Sequence, residues 1–302
     1  MRALGRLCIA AMLVALPVPA LAHEGHALSA PPGWTWDPWI TAPLALSALL
    51  FAVGMIRLNA RARQAGFGKR ALLFGLGWAV LAAALVSPLH EAGERSFAAH
   101  MFEHELIMLA AAPFLVLSEP LVVMLWAWPA AARQAIGAAV RARGVAVAWR
   151  RLTEPVTATL LQAAALWLWH APALFDLALG NEGWHAAQHL SFLLSALLFW
   201  SATIGARSQR TSGGRGLAAL CLFATSLVSG ALGALMALSV SPWYVGYTRL
   251  GMAPFGLTPA EDQQLAGLIM WIPGGLVHAL AALVIVAGLL RQQPPKVVAN
   301  AV

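Results

Sequence analysis

Charge is scarce in this chain. Asp, Glu, Lys and Arg together make up 10% of its 302 residues, against 60% hydrophobic ones. A soluble domain of that length cannot cover its surface with so few charges, so the composition is that of a polytopic membrane protein. Cysteine is almost absent, with only Cys8 and Cys221. Cys8 lies in the leader described below and precedes its apolar core, unlike a lipoprotein cysteine. Cys221 is then alone in the mature chain, which excludes an internal disulfide and makes thiolate a poor basis for any metal site. Acidic residues are outnumbered by Lys and Arg, 12 to 19, giving a formal charge of +7. The excess does not indicate nucleic acid, because the basic residues fall in alternate loops between apolar runs and form no patch.

Residues 1–22 read as a secretory signal: Arg2 and Arg6 lead, an apolar core follows, and Ala20-Leu21-Ala22 is an A-x-A cleavage site. An uncleaved first helix is the alternative. Cleavage leaves His23 first, and 23–37 (HEGHALSAPPGWTWD) is a polar, Pro-rich lead. Its α-amine, His23 and His26 offer Cu(II) ligands, although a flexible tail is the commoner explanation of such a lead. Residues 38–290 form the membrane domain, with apolar spans over 38–56, 71–88, 97–117, 154–170, 184–204, 217–240 and 259–290. Residues 89–96 and 171–183 are expected as loops. In the longest connection, 118–153, the apolar piece 121–128 is too short to cross and reads as re-entrant or interfacial. Ser226, Gly230 and Ala234 give the sixth span a small-residue face. Thr258, Pro259 and Glu261 form a capping box that starts the seventh. Fifteen Lys and Arg lie on one side of this scheme and only Arg95 and Arg249 on the other. The fold class is therefore all-α: a polytopic membrane protein with a seven-transmembrane-helix bundle after a cleaved signal peptide. The amino end is outside, and the tail 291–302 is cytoplasmic.

That topology sorts the histidines by depth. His100 and His104 open span three, and Met108 continues their four-residue spacing, so one helical face carries two imidazoles and a thioether. His185 and His189 repeat the spacing at the start of span five, while His90 ends span two and His170 ends span four. All six meet at the outer rim. Polar groups cost free energy in a membrane segment and usually face a bundle interior with a task. Taken alone, 99–109 is also compatible with a solvated turn at headgroup level. The same stretch carries Met101 and Glu103, and Met236 and Met270 lie at comparable depth. His278 is deeper, where a packing role is expected. Imidazole with thioether suits copper, above all Cu(I), whereas carboxylate with imidazole and an open position suits zinc. Bis-histidine haem is a third option, weakened because pairs four apart present both rings on one side. Copper ranks first, then zinc, then haem. If a metal binds, nitrogens of at least three of His100, His104, His170, His185 and His189 should lie within about 8 Å of one another. The tryptophans mostly flank spans, as an interfacial belt.

The stretches HMFEHELIMLAAAPFLVLSEPL, WLWHAPALFDLAL, WHAAQHLSFLLSALLFW, SPWYVGY and LTPAEDQQLAGLIMWIPGG, in that order, resemble the CtaG family of cytochrome c oxidase assembly factors over roughly 38–290. The resemblance implies a bacterial plasma-membrane protein without a reaction of its own. Its partners would be cytochrome c oxidase subunits, copper and the lipid bilayer. It singles out His100, His104, Met108, His170, His185, His189 and the Asp262-Gln263 pair. Two other readings stay open: a zinc-dependent membrane hydrolase with Glu103 or Asp262 as base, and a haem-binding membrane redox protein.

Overall fold

The computed structural model describes residues 31–61, 67–206 and 208–291. The signal peptide, His23, His26, Arg63, Arg207 and the tail from 292 lie outside the described residues. All regular structure among the described residues is helical. The helices are α1 (Pro38–Arg61), α2 (Phe67–Val86), α3 (Pro88–Gly93) and α4 (Phe97–Ser118). There follow α5 (Pro120–Leu125), α6 (Ala130–Arg141), α7 (Arg143–Leu152), α8 (Pro155–Trp169) and α9 (Pro172–Leu179). The chain closes with α10 (Glu182–Thr203), α11 (Ser212–Leu238), α12 (Val245–Leu250) and α13 (Pro259–Arg291).

Six helices are long and apolar enough to cross a membrane: α1, α2, α4, α10, α11 and α13. The count reaches seven if α8 and α9, bent by 74° at their junction, are one broken span. Pro172 causes the break, because it lacks an N–H and drives Ala171 into the extended region (φ −63°, ψ 126°). At 15 residues, α8 is about 22 Å long, short of the roughly 30 Å of a hydrocarbon core.

Several segments expected as loops are helical. After Val86 the hydroxyl of Ser87 accepts from the Leu89 amide and starts α3, so His90 stands on a separate short helix and not at the end of the second span. The stretch 171–183 holds α9. In 118–153, Glu119 adopts a left-handed conformation (φ 50°, ψ 53°), ends α4 and pairs with Arg70 at 2.5 Å. Helix α5 then packs so closely on α1 that a Cβ on Gly54 would collide with the Val123 carbonyl. Helices α6 and α7 bury no residue.

The third span is the shared wall of the core. Met101, Met108 and Ala112 pack with Phe192, Phe199, Trp200, Met236 and Met270 on one side. Ile107, Ala111 and Leu115 pack with Phe51, Phe74 and Leu81 on the other. Its middle, Leu106–Ala111, is a π-helical turn in which the Ala112 amide reaches back to the Ile107 carbonyl. The Met108 carbonyl would then need the next amide, which is Pro113 and has none. The Trp200 indole N–H donates to it instead, at 2.8 Å.

Gly230 and Ser226 of the small-residue face lie against α13, and Gly233, next to Ala234, joins them. The closest approach to α13 is at Gly233 and Gly267, where a Cβ on Gly267 would stand 2.5 Å from the Gly233 carbonyl, and Gly230 faces Trp271. The capping box is formed as expected. The Thr258 amide donates to the Glu261 carboxylate at 2.8 Å, and the Glu261 amide donates to the Thr258 hydroxyl at 3.3 Å.

Candidate metal centre

The start of α4 is fixed from across the bundle. The carboxylate of Asp262 accepts from the Ser96 hydroxyl (2.8 Å) and from the amides of Phe97 (2.6 Å) and Ala98 (3.3 Å). These amides are among the donors a helix N-terminus leaves unpaired, and a carboxylate there also meets the positive end of the helix dipole. Asp262 is therefore a cap for the histidine-bearing span. Oδ1 accepts from Ser96 and Ala98 and Oδ2 from Phe97, so the carboxylate is engaged in holding this helix end.

One turn into α4, the histidines converge. Ring centroids of His100 and His104 are 4.3 Å apart, those of His185 and His189 4.4 Å, and the pairs meet at His100–His185 (5.2 Å) and His104–His189 (4.9 Å). His90 joins from α3, 5.4 Å from His185 and 5.6 Å from His189. Ligand atoms of His100, His185 and His189 lie within 4.8 Å of one another, and so do those of His90, Glu103 and His189. Three nitrogens bound to one ion at about 2 Å lie a little over 3 Å apart, so small side-chain rotations would close either set.

Burial makes this arrangement expensive without a ligand. Among the described residues, neither nitrogen of His100 or His104 has a hydrogen-bond partner, and Nε2 of His185 and His189 and Oε2 of Glu103 also lack one. Both His100 and His104 are 1% exposed. An unpaired polar group buried in a protein costs about 1–3 kcal/mol, and a metal ion would satisfy several of these at once. His90 Nδ1 is 2.7 Å from Glu103 Oε1, which leaves Nε2 free, the carboxylate–histidine arrangement that orients metal ligands. Burial alone would push His90 down, but the Glu103 bond and charge, helped by Glu94 and Glu91, outweigh it and hold the imidazole above its ordinary range. Burial also raises the Glu94 carboxyl above the usual range.

The model of one protein family, described as cytochrome c oxidase caa3 assembly factor (Caa3_CtaG), matches residues 49–292. The chain belongs to that family. No curated protein and no solved structure matches it.

The remaining candidate residues of this assembly-factor chain separate into two groups. His170 ends α8 near the cluster, with Nδ1 2.7 Å from the Leu166 carbonyl and Nε2 3.3 Å from the Met101 sulfur. Met108, one turn beyond His104, is buried. The Met108 sulfur accepts from the Gln162 amide at 3.2 Å, within the same buried cluster as Met101 and Phe192. The Met236 sulfur lies 4.0 Å from the Tyr244 hydroxyl, and Met270 is buried in the apolar core. His278 packs as expected, stacked on Trp200 at 5.6 Å and bonded to the Gly274 carbonyl. Gln162 and Gln188, both buried, escaped the sequence reading. A glutamine inside an apolar span was the available signal for the first. The tyrosines were missed too: Tyr247 donates to the Gly93 carbonyl at 2.6 Å and Tyr244 to the His170 carbonyl at 3.1 Å, tying the 239–258 connection to the cluster's supports.

Proposed function

We propose that this assembly factor supplies copper to a haem-copper cytochrome c oxidase, holding it as Cu(I) among His100, His104, His185 and His189. His90 and Glu103 lie alongside. The observation that carries the reading is the pair His100 and His104, buried with no hydrogen bond within 3.5 Å at any of their four nitrogens among the described residues, and with the Gln188 side chain near His100. The positive-inside distribution of Arg and Lys supports a reading in which this end of the bundle lies outside, and the carboxyl end in the cytoplasm, of a bacterial plasma membrane. Imidazole ligation leaves the ion labile enough for transfer, and the reading needs no reaction by the protein itself.

Copper analysis of the detergent-purified chain beside a His100→Ala/His104→Ala variant tests it. Copper should co-purify with the wild type and be lost from the variant; zinc in place of copper, or copper kept by the variant, would overturn it. The triplet His90, Glu103 and His189, two imidazoles and a carboxylate, favours a second reading, zinc-dependent hydrolysis. Haem fits poorly, because five imidazoles whose centroids are mostly 4.3–5.9 Å apart leave no gap for a macrocycle.

A further inference from the structure

The contact between His170 and Met101 contains a chemical contradiction that a soft cation resolves. The Leu166 carbonyl can only accept, so His170 Nδ1 carries the proton in their 2.7 Å bond. In the neutral ring Nε2 is then a bare lone pair. It stands 3.3 Å from the Met101 sulfur, which has lone pairs and no hydrogen. Both residues are buried, His170 at 3% and Met101 at 1% exposure. Two acceptors are thus held face to face. A protonated imidazole would relieve the clash at the cost of a buried, uncompensated charge.

We propose that Met101 Sδ and His170 Nε2 form a second metal seat, selective for a soft monovalent ion such as Cu(I), behind the histidine cluster. This rests on the copper reading above and adds a site of different softness. With metal–nitrogen and metal–sulfur bonds of about 2.0 and 2.3 Å, a gap of 3.3 Å corresponds to a bent angle near 100°, which suits trigonal Cu(I) and leaves one position for an incoming ligand. Thioether with imidazole discriminates against hard and borderline ions. Two phenyl rings bridge the seat and the cluster. Phe175 lies 5.3 Å from His100 and 6.1 Å from His170, and Phe192 lies 4.7 Å from His104 and 6.3 Å from His170. The apolar screen keeps water from the inner seat. The Tyr244 hydroxyl, bonded to the His170 carbonyl, holds its backbone in place.

The test is anaerobic loading of the full detergent-purified chain with Cu(I), reading metal equivalents and, by X-ray absorption, the donor atoms. Wild type should take two equivalents and show a sulfur scatterer. Met101→Leu nearly conserves volume and should lose one equivalent and all the sulfur signal, while Met108→Leu loses neither. His100→Ala/His104→Ala should keep the sulfur-bound equivalent. An all-nitrogen wild-type spectrum, or Met101→Leu identical to wild type, overturns the second seat and leaves the cluster reading intact. Copper that depends on Met101 alone, with no loss in the double-histidine variant, supports the seat and removes the cluster reading.

Discussion

Truncating Asp262 to alanine removes no histidine and no sulfur, yet it should weaken copper binding. Its carboxylate accepts three hydrogen bonds at the first turn of α4, from the Ser96 hydroxyl and from the amides of Phe97 and Ala98. A lost N-cap costs about 0.5–2 kcal/mol, and each buried amide left unpaired costs about 1–3 kcal/mol. These figures overlap, so a destabilisation of about 3 kcal/mol is expected for Asp262→Ala. Asp262→Asn keeps one acceptor oxygen and should cost about 1 kcal/mol. His100 stands at the end of that first turn. The fall in affinity cannot exceed the energy needed to re-order it, which for about 3 kcal/mol is roughly 100-fold. Thermal unfolding of the metal-free chain in detergent measures the first quantity, and competition for Cu(I) with a chromophoric chelator measures the second. Unchanged stability of Asp262→Ala would refute the capping argument. Equal copper loss in the Ala and Asn variants, with metal-free stability intact, would mean that the carboxylate is itself a ligand.

Glu103→Gln keeps the shape beside His90 but loses the charge that orients its ring, so metal affinity in the same competition assay should fall about 10- to 100-fold. Met108→Leu should leave Cu(I) affinity unchanged and cost about 1 kcal/mol in unfolding, because the Gln162 amide loses its sulfur acceptor; weakened copper binding would return Met108 to the site. A cysteine introduced at Asn181 should react with a membrane-impermeant thiol reagent in intact cells, whereas one at Arg143 should not, and the reverse pattern would invert the proposed orientation.

Span positions were legible because apolar runs of membrane length admit few readings. The convergence of His100, His104, His185 and His189 was legible too, since the four-residue spacing and the loop charges placed both pairs at one end. Three features were not. The π turn at Leu106–Ala111 follows from Pro113 and Trp200 acting together and leaves no periodic trace, and the Gln162 amide that meets the Met108 sulfur comes from another helix. Asp262 reads as a polar residue after a capping box, and its role as the cap of a different helix arises from a contact across 164 to 166 residues. The Met101–His170 pair joins positions 69 apart through the particular end of α8 that Pro172 dictates. Local pattern specifies elements, whereas these features belong to the way elements meet.

The short α8 has a consequence for the lipid around it. A bilayer beside a helix about 8 Å shorter than its hydrocarbon core must thin or expose polar ends, at fractions of a kcal/mol per ångström. Helix α9, turned by 74°, adds little height. The leaflet should therefore dip next to His170, bringing water and headgroups down toward the histidine end on that flank while the longer helices opposite keep full thickness. The proposed copper binding would then depend on acyl-chain length: a thicker membrane deepens the dip and raises its elastic cost, and a thinner one relieves it.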